Sequence, residues 1–367
     1  MRADVLVIGA GPAGLATAIA ARLQGLTVTV ADSRRPPIDK TCGEGLLPEA
    51  VVSLQRLGIQ LDSVRAFPIA GIRFLDEKSS AAASLPAGLA FGLRRTALHQ
   101  LLIERAAEVG VTLLWGASVS SVNSQGAQIN GSWCASEWLV GADGQNSVVR
   151  KWAGLSARGT RRRRFGFRRH YAMSPWTDFV EVYWGERCQI FVTPTGESEV
   201  CVSLLTGDPQ LRIEDALPRF PEVARRLQGG RKLTTEQGAL TALERTRAVV
   251  RGPVALVGDA SGTVDGIAGQ GLSLAFQQAI HLGGALARRD LSLYAAAHRR
   301  ICMMPERVNR LLLLLDRNAW IRRKALRLFA DAPRLFAGLM SIHTGQRAPE
   351  EVKAREFLDL GWRVLRA

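Results

Sequence analysis

A glycine-rich turn near the N-terminus constrains the fold more than any other feature of the chain. The sequence Gly-Ala-Gly-Pro-Ala-Gly at Gly9–Gly14 follows an apolar run, Asp4–Ile8, and precedes a helix-like segment that ends at Gly25. A second apolar run, Thr27–Ala31, comes next. Short apolar runs of this kind are typical of buried parallel strands. The chain therefore predicts a βαβ unit, which is how a dinucleotide-binding domain begins.

Each position of this turn has its own steric requirement. Gly9 permits the tight turn, Gly11 lets the backbone approach a pyrophosphate, and Gly14 allows close packing of helix against strand. With Ala13, these residues present the free N–H groups of a helix N-terminus to the phosphates. Asp32 ends the second strand, 18 residues beyond Gly14, where a carboxylate accepts hydrogen bonds from ribose hydroxyls.

Two further Gly-Asp turns follow strand-like runs. Asp143 lies within Gly141–Gly144, and Asp259 follows the run that ends at Val257. An aspartate at a strand end that faces a cleft is suited to bind a ligand hydroxyl, and the alternative role is that of a turn residue or helix cap. A helix is predicted from about Gly271, so that the N–H groups of Gly271 and Leu272 are free to meet a ligand.

A different sheet interrupts the βα pattern. From Arg164 to Leu205 the alternation of apolar and polar residues predicts antiparallel strands with one wet face, and the βα pattern resumes near Val254. Such interleaving implies two domains with a cleft between them. We divide the chain into a first nucleotide-binding part at 1–155 with an excursion near 60–92, a substrate domain at 156–245, a second nucleotide-binding part at 246–290, and a helical region at 291–367 broken near Pro305, Pro333 and Pro349.

Composition narrows the possible partners. The 367 residues are 47% hydrophobic and 22% charged, which is ordinary for a chain that buries a substantial core. There are 48 Lys and Arg against 33 Asp and Glu, a net charge of +15 that would attract nucleic acid, an anionic membrane or an acidic partner. We attribute most arginines to compositional bias. Nucleic acid is the least supported partner, because the basic residues lack an interleaved aromatic platform.

Several kinds of site are disfavoured by spacing. The five cysteines form no Cys-x-x-Cys pair, and we predict no metal site. Their odd number fits reduced thiols in the cytoplasm, and the strand that starts at Ala3 leaves no room for a signal peptide. No apolar run approaches the ~20 residues that span a bilayer. The arginine-rich C-terminal helices are expected to cap the core, with peripheral contact to a membrane as the alternative.

The three motifs together resemble the para-hydroxybenzoate-hydroxylase-like superfamily of FAD-dependent oxidoreductases, which includes aromatic monooxygenases and geranylgeranyl reductases. The resemblance covers roughly 1–155 and 245–290. It implies an α/β fold in which a Rossmann-like FAD-binding domain is interleaved with an antiparallel-sheet substrate domain, plus C-terminal helices. It also implies FAD contacts by Arg95 and by the backbone of Val119, a ribityl contact by Asp259, and N–H groups of Gly271 and Leu272 facing the flavin.

The loop Lys40–Leu46 distinguishes branches of this superfamily. It is similar to the Cys-Gly-x-Gly loop of geranylgeranyl reductases, which implies that Cys42, Gly43 and Gly45 lie beside the flavin. Cys42 and Glu44 are the candidate catalytic residues. For Cys42 the alternative, which we favour at this point, is a small side chain that fills space beside the ring, and for Glu44 it is an ion pair with an arginine. The tryptophan signature of flavin halogenases is absent.

The residues leave three functions open. We place first an NAD(P)H-dependent single-component monooxygenase acting on a small-molecule or carrier- or polypeptide-bound organic substrate, with NAD(P)H as a transient electron donor. The alternatives are a reductase of carbon–carbon double bonds and a flavoprotein that matures a partner polypeptide. His170 and Tyr171, next to the arginine cluster Arg161–Arg169, are candidate proton shuttles, although a place in the cavity wall is favoured.

Overall fold

The computed structural model describes residues 2–62, 65–156 and 163–347. Arg161 and Arg162 of the arginine cluster, and the helix break expected near Pro349, lie outside these ranges.

The described residues include 21 strands. In chain order they are β1 (Arg2–Ile8), β2 (Val28–Asp32), β3 (Gly45–Leu46), β4 (Phe67–Pro68), β5 (Gly71–Leu75), β6 (Ser80–Ser84), β7 (Phe91–Gly92), β8 (Thr112–Trp115), β9 (Val119–Asn123), β10 (Gly126–Ile129), β11 (Ser132–Gly141), β12 (Arg164–Ala172), β13 (Phe179–Trp184), β14 (Cys188–Gly196), β15 (Glu199–Thr206), β16 (Arg231–Lys232), β17 (Gln237–Thr241), β18 (Glu244–Arg245), β19 (Val250–Arg251), β20 (Val254–Leu256) and β21 (Gly262–Thr263).

Helices surround these strands. They are α1 (Pro12–Leu23), α2 (Pro48–Arg56), α3 (Arg95–Glu108), α4 (Val148–Trp152), α5 (Ile213–Ala216), α6 (Pro221–Arg226), α7 (Gly271–Ala287), α8 (Leu291–Arg317), α9 (Ala319–Asp331) and α10 (Pro333–His343), with short 3-10 turns at Leu217–Arg219, Gly258–Ser261 and Gly266–Ala268.

The first sheet is the predicted nucleotide-binding one. Its order is β19-β20-β11-β1-β2-β8, with β20, β11, β1, β2 and β8 parallel. The predicted βαβ unit is confirmed as β1, α1 and β2, and Gly25 adopts the left-handed φ of +87° expected of a C-terminal cap. Helices α1, α3 and α7 bury their apolar faces in one core with β1 and β2. The ends of these parallel strands therefore meet at one edge.

The second sheet is the predicted antiparallel one. Its order is β16-β12-β15-β14-β13-β5-β6, with β17 also paired to β12. Strands β5 and β6 come from the early excursion, and β5 pairs in parallel with β13, more than a hundred residues later. The expectation of one wet face is wrong for β14 and β15, whose residues are buried on both faces. Helices α5 and α6 cover one face, because Ile213, Phe220 and Val223 pack there.

The C-terminal helices cap this sheet. Leu312, Leu326, Phe329 and Phe336 are buried in one core with Phe74 and Trp184. The break predicted near Pro305 is wrong, since α8 continues through this buried proline; packing against the sheet outweighs the lost hydrogen bond. The chain breaks instead at Asn318, whose side chain accepts hydrogen bonds from the N–H groups of Trp320 and Ile321. No helix in the described ranges combines the length and apolarity needed to cross a bilayer.

Candidate active site

The glycine turn between β1 and α1 leaves no room for side chains at two positions. A Cβ on Gly9, which has a φ of +104°, would lie 2.5 Å from the carbonyl oxygen of Ala142. A Cβ on Gly14 would lie 1.9 Å from the carbonyl oxygen of Gly9. Beside Gly11 there is open space, because no atom of residues 2–62, 65–156 or 163–347 lies within 4 Å of the place that a Cβ would occupy. The first helical turn, including Ala13, thus presents its N–H groups to free space.

Asp32 joins the end of β2 to this turn. Its Oδ2 accepts a hydrogen bond from the N–H of Ala10 at 2.8 Å, and its Oδ1 accepts one from the N–H of Arg34 at 2.9 Å. The segment before Val119 passes the same strand end, because the N–H of Ala117 donates to the carbonyl of Asp32 at 2.8 Å. Val119 begins β9. The adenosine contacts of Asp32 and Val119 stay predictions. Asp32 is at the carboxyl end of β2, and Val119 follows the segment that is hydrogen-bonded to that strand end.

The aspartates of the two Gly-Asp turns differ in how many of their carboxylate oxygens bond to other groups of the protein. Oδ2 of Asp143 accepts hydrogen bonds from the N–H groups of Val148 and Val149, and its Oδ1 accepts one from the Ser147 hydroxyl. Asp143 therefore shapes the start of α4. Asp259 forms an ion pair with Lys40, with Oδ2 and Nζ 2.6 Å apart and both side chains partly exposed. Its second oxygen has no hydrogen-bond partner among the described residues and so can accept one from a ligand.

The start of α7 is a further open edge. Gln270 occupies the N-cap position without a side-chain cap, and the first turn carries no acidic residue. No described atom lies within 4 Å of a Cβ position on Gly271, and the same is true of Gly269 and Gly43. Gly271 and Leu272 thus begin a helix whose N–H groups lack a capping side chain. These are the positions where the sequence placed flavin contacts.

These residues fit FAD on grounds independent of the motif. Open space beside Gly11, Gly43 and Gly271 is the room that a long planar ligand and its pyrophosphate need. Arg95 is only 6% exposed, and its Nη1 has no hydrogen-bond partner in the described residues. Burial lowers the pKa of this guanidinium. A buried donor without a partner is costly, so a ligand acceptor such as FAD would stabilise Arg95.

The loop between β2 and β3 holds a buried ionic cluster, which we call the Glu44 cluster. Glu44 is 1% exposed and has a φ of +60°. Its Oε1 accepts hydrogen bonds from Nη1 of Arg168 and from the N–H of Arg95, both at 2.9 Å, and its Oε2 lies 2.6 Å from Nε2 of His170. Glu44 thus forms an ion pair with an arginine, Arg168, which is the alternative to a catalytic role that the sequence left open. Asp39 completes the cluster through Arg168.

This cluster fixes the loop against the second sheet. Burial acts to lower the pKa of Arg168, but hydrogen bonding to Asp39 and attraction to Glu44 and Asp39 outweigh it and raise that pKa. The carboxyl of Asp39 is also desolvated, yet the same guanidinium holds its pKa below the usual value. Removing one member of such a buried pair typically costs about 3–5 kcal/mol.

Two neutral thiols lie in this region. Sγ of Cys42 accepts a hydrogen bond from the N–H of Glu44 at 3.3 Å, and Sγ of Cys201 lies 4.0 Å from the carbonyl oxygen of Cys42. Burial raises the pKa of Cys42, and it raises the pKa of Cys201 well above the usual value. Both sulfurs therefore keep their protons at neutral pH.

The ligand atoms of Glu44, His170 and Cys201 also lie within 4.8 Å of one another, a spacing that suits a metal ion. The guanidinium of Arg168 already supplies the positive charge at this position, and we assign no metal to it.

Sequence reasoning missed the role of Arg168 and undervalued His170. Both lie on β12 with Arg164, at alternate positions of one strand, and all three are buried. Period-two spacing of basic residues within an otherwise apolar strand is the local signal that would have identified this face. Gly45 begins β3 and faces Val180 of the second sheet rather than open space. The structure brings Cys42 and Glu44 together with β12, and the hydrogen bonds of the Asp143 carboxylate go to Ser147, Val148 and Val149 of its own loop and helix.

Comparison with known proteins agrees with this geometry. Residues 2–290 match the family model described as FAD binding domain. Menaquinone reductase of Mycobacterium tuberculosis is 25% identical over 79% of this chain and 78% of that protein. That of Mycolicibacterium smegmatis is 57% identical over 58 residues, which cover 16% of this chain and 14% of that protein. Rifampicin monooxygenase of Rhodococcus hoagii is 30% identical, over 40% of this chain and 33% of that protein.

The solved structure of a flavoprotein/dehydrogenase from Cytophaga hutchinsonii is similar over 94% of this chain and 93% of that chain, with a TM-score of 0.81 and 18% sequence identity. This likeness confirms the predicted fold class. The family match spans both nucleotide-binding segments and the sheet between them. The chain therefore belongs to the FAD binding domain family of the para-hydroxybenzoate-hydroxylase-like superfamily, and it is an FAD-dependent oxidoreductase.

Proposed function

We propose that this protein uses FAD and NAD(P)H to saturate a carbon–carbon double bond in a lipophilic, isoprenoid-type substrate. The observation that carries the proposal is the half-buried Cys42 thiol, which is held in a Cys-Gly loop against the Glu44 cluster and keeps its proton. The monooxygenase that the sequence placed first becomes the second candidate.

Saturating a double bond adds one hydride and one proton to adjacent carbons. FAD, when bound and reduced by NAD(P)H, supplies the hydride. The protein has to supply the proton at the other carbon, from a group that is protonated at neutral pH and shielded from water. Cys42 meets the first condition, since desolvation raises its pKa, and it is already half-buried before a substrate covers it. We favour this role over space filling for that reason.

The surroundings of Cys42 suit the thiolate that proton donation leaves behind. The positive charges of Arg95 and Arg168 both act to lower the pKa of Cys42, against the larger effect of burial. The N–H of Glu44 points at the sulfur. A developing negative charge on Sγ is thus stabilised by fixed groups. Glu44 and His170 act here by positioning the loop, because their polar atoms already bond within the cluster.

The relatives support this order of candidates. The menaquinone reductase of M. tuberculosis matches most of this chain, whereas the rifampicin monooxygenase matches less than half of it. Several buried apolar side chains, such as Phe74, Trp184 and Phe336, lie between the second sheet and the C-terminal helices. We propose that a lipophilic chain enters on this side. A cytoplasmic location is part of the proposal, because all five cysteines are free thiols.

Transient binding of NAD(P)H is the simplest way for the flavin to be reduced. Within the described residues, one βαβ unit carries the dinucleotide-binding glycine turn, and we assign it to FAD. NAD(P)H would then bind near the flavin and leave after hydride transfer. The second candidate, a monooxygenase, shares this step and is supported by the partial match to rifampicin monooxygenase.

Oxygen dependence separates the two candidates. The FAD-loaded enzyme would be incubated with NAD(P)H and a menaquinone with an unsaturated side chain, with and without oxygen, and the products weighed by mass spectrometry. We expect a product with two additional hydrogens in both conditions. A product that gains an oxygen atom, formed only in air, would establish the monooxygenase instead.

Replacing the sulfur tests the proton donor. Cys42→Ser nearly preserves shape, so we expect full FAD content with a turnover loss beyond about a hundredfold, roughly 2.7 kcal/mol of barrier. Cys302→Ser is the matched control, because Cys302 is a half-buried thiol on α8, and its turnover should stay within about twofold of the wild-type rate. A Cys42→Ser enzyme with normal turnover would return Cys42 to the space-filling role.

A further inference from the structure

The outer surface of α8 and α9 combines exposed apolar side chains with cations. Leu311 and Leu314 are 48% and 46% exposed, and Trp320 is 51% exposed. The exposed or partly exposed basic residues near them on the same helices include Arg307, Arg310, Arg317, Arg323 and Lys324. We call these eight residues the basic face. Neighbouring exposed apolar side chains rimmed by charged residues are typical of an interaction surface, whereas isolated ones are ordinary.

The cap fixes the direction in which the basic face points. On α8, Leu312 and Leu315 are buried against the second sheet, and on α9 Leu326 and Phe329 are buried in the same core. Leu311 and Leu314 lie on the flank of α8 next to these buried positions, on the solvent-exposed side that also carries Arg307 and Arg310. The basic face is therefore held outward and cannot turn in without unpacking the cap.

The charge of this face is largely uncompensated. Between Arg307 and Lys324 the single carboxylate is Asp316, which turns inward to Gln189 and Arg164. Arg310 and Arg317 have no ion-pair partner in the part of the chain that the structure describes. Cations left unpaired next to apolar side chains match one kind of surface well, an anionic bilayer with its acyl chains beneath the headgroups.

Trp320 is suited to the boundary of such a bilayer. Nζ of Lys324 lies 4.3 Å from the centroid of the Trp320 indole ring, so a cation is stacked on an amphipathic aromatic side chain at the surface. Tryptophan concentrates at the level of the lipid headgroups, and long basic side chains reach up from apolar surface to the phosphates.

We propose that the basic face docks this protein on membranes that contain anionic phospholipids. The net charge of +15 would steer the approach, and the apolar side chains would enter the interface. This inference goes beyond the proposed function, since it concerns where the protein lies and not which bond it changes. Its test needs no turnover.

The charge arm of the test uses the full chain loaded with FAD and sedimented with vesicles. We expect binding to vesicles of equal parts phosphatidylcholine and phosphatidylglycerol, and none to phosphatidylcholine alone. Arg310→Gln/Arg317→Gln removes two cations worth about 1 kcal/mol each near an anionic surface, so affinity should fall about thirtyfold. The control is Arg225→Gln/Arg231→Gln, which makes the same charge change on α6 and β16 and should alter affinity by less than about threefold.

The apolar arm uses Leu311→Ser/Leu314→Ser. Each side chain is about half exposed, so its transfer into the interface is worth roughly 1 kcal/mol and the pair about thirtyfold in affinity. The control is Leu293→Ser, which removes a side chain of similar exposure, 43%, from the first turn of α8 and should leave binding unchanged. Thermal unfolding of each variant verifies that the cap remains folded.

Three results would overturn the proposal. The first is absence of binding to the anionic vesicles. The second is equal binding by the basic-face variants and their controls. The third is a lipid-free dimer, measured by light scattering, that Leu311→Ser/Leu314→Ser converts to monomer, because a second copy of the chain would then be what covers this face.

Discussion

The glycine turn allows two similar substitutions to be compared, one of which is expected to lower stability and the other to weaken FAD binding. Gly11 and Gly14 belong to one motif, but the structure gives a Cβ at Gly11 open space and a Cβ at Gly14 a contact of 1.9 Å with the carbonyl oxygen of Gly9. Alanine at Gly14 should therefore damage the fold, and alanine at Gly11 should damage FAD binding alone.

The cost at Gly14 follows from what the methyl group meets. The Gly9 carbonyl is backbone, and Cβ of Ala142 lies 3.1 Å away on another side, so neither neighbour rotates aside. Overpacking of this kind costs about 1–3 kcal/mol or more, and the better helix propensity of alanine returns roughly 1 kcal/mol. We expect the apo protein to lose about 1–2 kcal/mol and to melt a few degrees lower.

The cost at Gly11 falls on the cofactor. Its φ of −69° and ψ of 178° suit alanine, so the apo protein should melt within about a degree of wild type. A methyl group in the open space would hold a pyrophosphate away from the N–H groups of α1. Losing one hydrogen bond to a charged phosphate costs about 1.5–3 kcal/mol, or roughly tenfold to hundredfold in affinity.

The assay is a titration of FAD into each apo variant, followed by flavin fluorescence, beside thermal unfolding by circular dichroism. Gly207→Ala is the matched control, since Gly207 also has nothing within 4 Å and lies outside the cofactor motifs. Wild-type FAD affinity in Gly11→Ala would refute the assignment of this space to the pyrophosphate. A Gly14→Ala protein as stable as Gly207→Ala would refute the packing argument.

Further expectations concern the cofactor, the two aspartates and one histidine. Acid extraction should release FAD and not FMN, because Asp32 ends β2 where an adenosine ribose is expected; FMN would contradict this. Asp259→Ala should weaken FAD binding more than Asp143→Ala, which should chiefly lower stability by about 1 kcal/mol because Asp143 accepts hydrogen bonds from the first two N–H groups of α4; equal FAD affinities in titration would refute the ranking. Burial lowers the pKa of His298 to about 4, so the unfolded chain binds a proton that the folded one excludes. Its stability contribution is complete above about pH 6.5 and shrinks by up to roughly 3 kcal/mol as pH falls towards 4. His343, whose pKa burial also lowers to about 4, contributes in the same window. His298→Gln should therefore lessen, but not remove, the fall of the urea-measured free energy of unfolding between about pH 6.5 and 4; an unchanged fall would contradict it.

What the sequence determined is local. The turn Gly9–Gly14, the strands on either side of it and the helix start at Gly271 depend on steric rules and periodicity within a few residues, and each is found where it was predicted. Asp32 follows the same logic, because its place at a strand end needs only the βαβ unit. These features sufficed to identify the FAD-binding fold.

What only the tertiary structure decided is long-range. Glu44 and His170 are 126 residues apart, and Glu44 and Arg168 are 124 apart, so no local pattern pairs them. A buried carboxylate has to find cations, but which cations it meets depends on the docking of the β2–β3 loop against β12. The protonated state of Cys42 follows from the same docking, since burial raises its pKa. The sequence predicted a candidate residue at each position, and its chemistry depends on neighbours that only the folded chain brings into contact.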